Sequence, residues 1–226
     1  MPKIPNVPLL GLAIALTIIG LYAALIWAPV EQTLGESYRV FYLHVPAAWV
    51  SYLSLGLSMI SSILYLKTKS SKYDIFAEAT AILGVIYASL TLILGSIWAN
   101  TASAWGTYWN WDPRETTTLI LWISYISYLA LRVSIEDVDR RAVLPAVYNI
   151  FAFATVPLSY ISVVYWQTLH PRLITTGGIL MSQDMITTLI LNLAASSVMF
   201  LFLLNLLYNI RRAERFLGEY EESTWR

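Results

Sequence analysis

The chain has 226 residues, 58% of them hydrophobic and 12% charged, against about half apolar and a quarter charged in an ordinary soluble domain, which this balance excludes. Fourteen basic and fourteen acidic side chains cancel, so no overall field draws in nucleic acid. There is no cysteine, which removes disulfides, thiolate chemistry, cysteine-ligated zinc or iron–sulfur centres and the Cys-x-x-Cys-His attachment signature.

A bilayer is crossed by about 20 apolar helical residues. Six runs of that length are predicted, at about Pro8–Ala28, Val45–Leu66, Ile75–Trp98, Thr116–Val133, Val143–Tyr165 and Met185–Asn209. The first is too long for a signal-peptide core and no small-x-small cleavage site follows it, so it reads as a retained span. The expected fold is an all-α membrane protein, residues 1–226 forming one six-helix transmembrane domain with a short interfacial segment between helices three and four.

Lysine and arginine set the orientation, because short loops that carry them stay in the cytoplasm. Lys3, Lys67, Lys69, Lys72, Arg132, Arg140, Arg141, Arg211, Arg212, Arg215 and Arg226 fall on one side, and only Arg39, Arg114 and Arg172 on the other. Eleven against three puts both termini in the cytoplasm and the connections 29–44, 99–115 and 166–184 outside. The chain is thus expected to be an integral, multi-pass protein of the cell membrane.

Both histidines of the chain, His44 and His170, are on the outer side. One histidine at a membrane interface is commonly a satisfied hydrogen-bonding group. Two on one face suggest a ligand pair, since imidazole is the usual protein donor to haem iron and no thiolate competes.

Between them, Trp105, Tyr108, Trp109 and Trp111 fall within seven residues, with Gly106 among them. Two readings are open. An aromatic belt gathers at the headgroups, whereas this density in one connection suits a platform for a flat ring, with aromatic faces for stacking and indole N–H groups for its edge. Trp98, Trp105 and Trp109 would share one face if the segment were a helix lying in the interface. Asp112, Pro113 and Glu115 have the spacing of a helix start, so Asp112 reads first as an N-cap that fixes how the tryptophans leave the fourth span. Each outer arginine sits beside one of these features. Snorkelling to headgroups accounts for them, as does bidentate pairing with carboxylates such as haem propionates; Arg39 and Arg114 are the stronger candidates and Arg172 the weaker.

The stretch Trp105-Gly-Thr-Tyr-Trp-Asn-Trp-Asp112-Pro-Arg114 resembles the tryptophan-rich WWD motif of haem-handling membrane proteins in cytochrome c maturation. Together with His44-Val-Pro-Ala-Ala-Trp and Thr168-Leu-His170-Pro it is similar to the CcmC family of system I. The resemblance implies an outward-facing haem b (iron protoporphyrin IX) with His44 and His170 as axial ligands. It further implies Trp105, Trp109 and Trp111 as lining, Gly106, Tyr108 and Asp112 as part of the same binding stretch, and Arg39 and Arg114 toward the propionates. It also implies delivery to a membrane-anchored haem chaperone of the CcmE type, beside ABC transporter subunits of the CcmA and CcmB type and a small single-span protein of the CcmD type. Such a protein binds and presents haem without a nucleophile of its own. Tyr108 replaces a tryptophan common in such proteins, and Pro113-Arg114-Glu115-Thr116 is similar to the larger system II haem-export and synthase proteins. An electron-transfer cytochrome b subunit is the alternative of a different class; its ligands usually lie at depth on transmembrane helices.

Overall fold

The computed structural model describes residues 6–101, 105–171, 174–175, 178–179 and 181–224. Among these, six helical segments are long and apolar enough to cross a membrane. Helix α1, Val7–Tyr22, starts where the Asn6 side chain accepts the Leu9 N–H, with a proline in its first turn, and runs on into a π-helical turn, Ala23–Trp27. A 3-10 turn, Glu36–Val40, leads into α2, Phe41–Thr68, followed by α3, Ser71–Thr101. Helix α4 covers Pro113–Ser134, α5 Val138–Ala152 and α6 Thr155–Tyr165. Two-residue strands Ile174–Thr175 and Gly178–Ile179 pair antiparallel ahead of α7, Gln183–Thr224. At about 1.5 Å per residue, α7 is about 63 Å long and outruns a hydrocarbon layer of about 30 Å.

Two expectations change. The fifth span is two helices, α5 and α6, separated by a turn at Phe153 and Ala154. Pro157 explains the position of the break: it has no N–H to return to the carbonyl four residues earlier, which is that of Phe153. Nor do Trp98, Trp105 and Trp109 share a helix face, the arrangement that a helical segment there would have given. Trp98 belongs to α3 itself, and residues 105–112 are irregular chain.

Small and hydroxylic residues hold the centre of the bundle. Ser51, Ser54 and Ser58 of α2 donate to the Gly84, Thr80 and Ala77 carbonyls of α3 at 3.1, 2.6 and 2.7 Å. This seam needs close backbones, which small side chains allow. At Gly84 a Cβ would stand 2.3 Å from Leu55 Cδ2. From α5, the Asn149 amide donates to Ser58 and Ser62, both at 2.8 Å. Leu55, Val85, Leu121, Tyr125, Tyr128 and Val156 close the apolar core around this seam. On the opposite flank, Asn192 of α7 donates to the Gly20 carbonyl of α1 at 3.1 Å.

At the end of the bundle away from the histidines, Arg132 of α4 forms a two-pronged pair with Asp74 of α3, at 2.7 and 3.1 Å. Glu78 stands 3.4 Å from Arg132, and Arg215 of α7 reaches Asp74 at 3.1 Å. Three helices are thereby tied through one buried carboxylate. Removing one partner of such a pair costs about 3–5 kcal/mol, more than replacing both. Asp74→Ala is therefore expected to lower the thermal unfolding temperature in detergent, and the double replacement Asp74→Ala with Arg132→Met to recover a substantial part of the loss.

Candidate functional site

At the other end, α2 begins with the residues that carry His44, one turn after the 3-10 segment. The ring faces α3 at Gly95, where a Cβ would come within 3.0 Å of His44 Cε1. The Thr91 backbone carbonyl meets the same ring. Nδ1 of His44 is buried without a hydrogen-bond partner among the described residues. This nitrogen lies on the edge of the ring packed against α3, 3.4 Å from where a Cβ at Gly95 would stand.

His170 comes from the chain between α6 and α7, and Asp112 brings it here. One Asp112 carboxylate oxygen caps α4 by accepting the Arg114 N–H at 2.8 Å. The same carboxylate accepts the Thr168 hydroxyl at 2.7 and 2.8 Å and the Leu169 N–H at 2.8 Å. The Thr168 hydroxyl oxygen in turn accepts the His170 backbone N–H at 3.0 Å. Asp112 is 6% exposed. The two imidazoles, 126 positions apart in sequence by their numbers, stand with ring centres 6.2 Å apart and planes at 52°. Burial pushes the His170 imidazole down from 6.5 to about 3, with the Arg114 charge and the His44 ring acting in the same direction. His170 is thus neutral, its lone pair free of a proton, at any physiological pH. An unfolded chain takes up that proton near 6.5, so the packed loop loses stability as the pH falls from there toward 3.

Around the pair, Trp98 sits edge-on to His170 at 6.2 Å and to Trp105 at 5.6 Å. The Trp98 Nε1 is a second buried donor with no partner among the described residues. Arg114 donates to the Ser159 carbonyl of α6 and lies 5.7 Å over the Tyr52 ring. The Ser159 hydroxyl bonds Tyr52 and Thr118 at 3.0 and 2.9 Å, which fixes the carbonyl that Arg114 uses. His44, His170, Trp105, Trp109 and Arg114 enclose a cavity of about 40 Å³ together with Trp98.

Five of the expected site residues therefore meet. The others take different places. Arg39 donates to the Ala24 and Ala28 carbonyls at 3.1 and 3.2 Å and pairs with Glu36; it closes the end of the first span and does not line the cavity. Trp111 turns outward, 70% exposed, and Tyr108 is 61% exposed. Trp111 and Gly106 take left-handed backbone, φ 63° and 62°. For a tryptophan this costs roughly 1–2 kcal/mol, and it is held by Thr116, whose hydroxyl donates to the Trp111 carbonyl at 3.2 Å. Asp112 is outside the lining and acts on the site through its hydrogen bonds. Arg172 lies outside the described residues. The sequence reading missed Thr91, Leu92, Gly95, Ser96 and Thr118 in the lining, and took Glu115 only for part of a helix start. A signal existed: Gly84 and Gly95 are eleven residues apart in α3, about three helical turns, and so share the face turned to α2.

The sequence model of the family described as heme exporter protein C matches residues 4–220. The chain belongs to that family. It is 32% identical over 213 residues to a Marchantia polymorpha protein named putative cytochrome c biosynthesis ccmC-like mitochondrial protein, covering 94% of this chain and 88% of the relative. It is 32% identical over 192 residues to heme exporter protein C of Bradyrhizobium diazoefficiens, covering 84% and 72%. The heme exporter protein C of Escherichia coli K12 is 28% identical over 163 residues, covering 70% and 65%. Membership of the heme exporter protein C family, with six apolar helices, makes this a multi-pass membrane protein of haem handling in cytochrome c biogenesis.

The donor set at this end of the bundle is compatible with haem as the guest. His44 and His170 are the residues that would hold a metal-bearing guest, since with metal–nitrogen bonds of about 2 Å two imidazoles sharing one metal would have ring centres within about 6 Å. The observed 6.2 Å between ring centres is compatible with both imidazoles reaching one metal. Asp112→Asn should keep the α4 cap but lose part of the hold on Thr168 and Leu169, since an amide nitrogen cannot accept. A cost of about 1–3 kcal/mol is expected, together with faster hydrogen exchange at the Leu169 amide; an unchanged exchange rate there would refute the tether.

Proposed function

We propose that this chain holds haem b between His44 and His170 at the extracytoplasmic face and presents it to a membrane-anchored chaperone of the CcmE type. The observation that carries the reading is the pair of imidazoles 6.2 Å apart, one with an unpartnered buried nitrogen and the other neutral by burial. Haem is cargo here, and no protein nucleophile is required. His44 and His170 set the ligation of the iron. Trp98, Trp105 and Trp109 keep water from the ring and offer it aromatic faces and indole N–H groups. Arg114 supplies the cation beside the imidazoles that suits a propionate, and the Ser159 carbonyl orients it. In this reading Arg39 acts indirectly, by fixing the end of the first span against the start of α2.

The bias of eleven lysines and arginines against three supports placing both termini in the cytoplasm and the histidines outside. The exposed rings of Tyr108, Trp111, Tyr165 and Trp166 lie on the segments flanking the site, 105–112 and 165–170. They give an acceptor an apolar surface beside the haem edge. Transporter subunits of the CcmA and CcmB type and a CcmD-type single-span protein complete the assembly in this proposal.

Replacing His44 or His170 with alanine is expected to lower the haem retained on purification and to change its low-spin spectrum, with free imidazole restoring part of both. A wild-type spectrum in both variants would overturn the ligand assignment. Arg114→Gln is expected to weaken haem affinity by about tenfold, on the order of one charge-assisted hydrogen bond, while leaving the bis-histidine spectrum in place. Equal affinity in a haem titration would return Arg114 to a purely structural role.

A further inference from the structure

The cavity between the histidines measures about 40 Å³, room for a few water molecules at about 10–15 Å³ each on that measure. A porphyrin is many times larger, so part of the wall has to move for one to reach the imidazoles. Two larger openings adjoin that wall. One, about 590 Å³, meets it at His170 and is otherwise lined by residues 164–168, including Gln167 and Thr168. The other, about 400 Å³, lies between α3 and α4 and shares Trp109 and Leu92 with the histidine cavity; its remaining lining is Ser89, Ile93, Leu119 and Trp122.

This second opening has the chemistry of a bilayer. The one hydroxyl in its lining is engaged twice, Ser89 accepting the Trp122 Nε1–H at 2.8 Å and donating to the Val85 carbonyl at 2.9 Å. Every other lining group is apolar or aromatic. Ile93 is exposed on α3, and Ile120 and Ile123 are exposed on the neighbouring surface of α4. Leu92 is nine residues before the end of α3 and Trp122 nine after the start of α4. At about 1.5 Å per residue the groove reaches about 14 Å down from the site end, within a hydrocarbon layer of about 30 Å. Trp109 itself comes from the irregular stretch before α4, where no helical hydrogen bonds restrain it.

We propose that haem reaches the histidine cavity sideways from the lipid, through the groove between α3 and α4, with Trp109 and Leu92 as the movable partition. This rests on the haem reading above. The occupant follows from the amphiphile: an apolar macrocycle suits the groove, and its carboxylates suit the Arg114 guanidinium in the wall of the histidine cavity. The partition is a rotamer change in two side chains, a motion far faster than helix rearrangement.

The test uses the whole chain in phospholipid vesicles, with haemin dissolved in the bilayer, following the appearance of the low-spin spectrum. Leu119→Trp fills the groove without touching the histidine cavity. It should slow loading by about tenfold, equivalent to an added barrier of ~1.4 kcal/mol, and reach the same final spectrum. Ile93→Trp does the same from the other wall should the first variant fold poorly, and Leu119→Ala should load at least as fast as the wild type. Gln167→Trp, which obstructs only the polar opening, should leave the rate unchanged. Equal rates for wild type, Leu119→Trp and Ile93→Trp, or a slowing by Gln167→Trp alone, would overturn the lateral route while leaving the histidine site intact. A wild-type protein that never develops the spectrum, even when haemin is supplied in detergent before reconstitution, would overturn the haem reading itself.

Discussion

The carboxylate of Asp112 is the constraint on which the site depends. A helix N-terminus leaves N–H groups unsatisfied, and an aspartate there meets one of them and faces the positive end of the dipole. Asp112 does this for α4 and uses its remaining lone pairs on Thr168 and Leu169. A residue whose local task is to start a helix thereby fastens a loop more than fifty positions later, and with it the second imidazole. His44 needs no such tether, because it stands on α2 and is seated by Gly95 of α3.

The two ends of the bundle solve the problem of buried charge in opposite ways. Away from the histidines, Asp74 and Glu78 answer Arg132, Arg211 and Arg215, and the result is a closed clasp between α3, α4 and α7. At the histidine end, Arg114 spends its guanidinium on a backbone carbonyl and an aromatic face, while the carboxylate of Glu115 in the same wall accepts the Asn110 backbone N–H. For His170, burial first and the Arg114 cation second favour the neutral imidazole.

The connections also show strain placed with purpose. Trp111 occupies the left-handed region beside an aspartate that cannot move without releasing both α4 and the histidine loop. Its indole is turned away from the cavity while that of Trp109, two residues earlier, remains in the wall; the rings are nearly perpendicular, 5.7 Å apart. The tryptophan-rich stretch therefore serves two surfaces, one inside and one facing outward.

Hydropathy alone determined the number and approximate limits of the six spans, because a run of apolar residues in lipid has only the helix as a way to satisfy its backbone. Residue type likewise singled out His44, His170, Trp105, Trp109 and Arg114, and the Asp112-Pro113-Glu115 start of α4, whose cause is local. What pattern could not supply was everything that depends on partners distant in the chain. The division of the fifth span by Pro157, the irregular path from 105 to 112, the seat of His44 against Gly95 and the grip of Asp112 on Thr168 were decided by tertiary structure. Arg39 is the sharpest instance. Beside His44 in the sequence it looked equivalent to Arg114, yet the nearest unsatisfied carbonyls in space, those of Ala24 and Ala28, claimed it. A side chain's chemistry is written in its identity, but the group it spends that chemistry on is whichever one packing brings within a hydrogen bond.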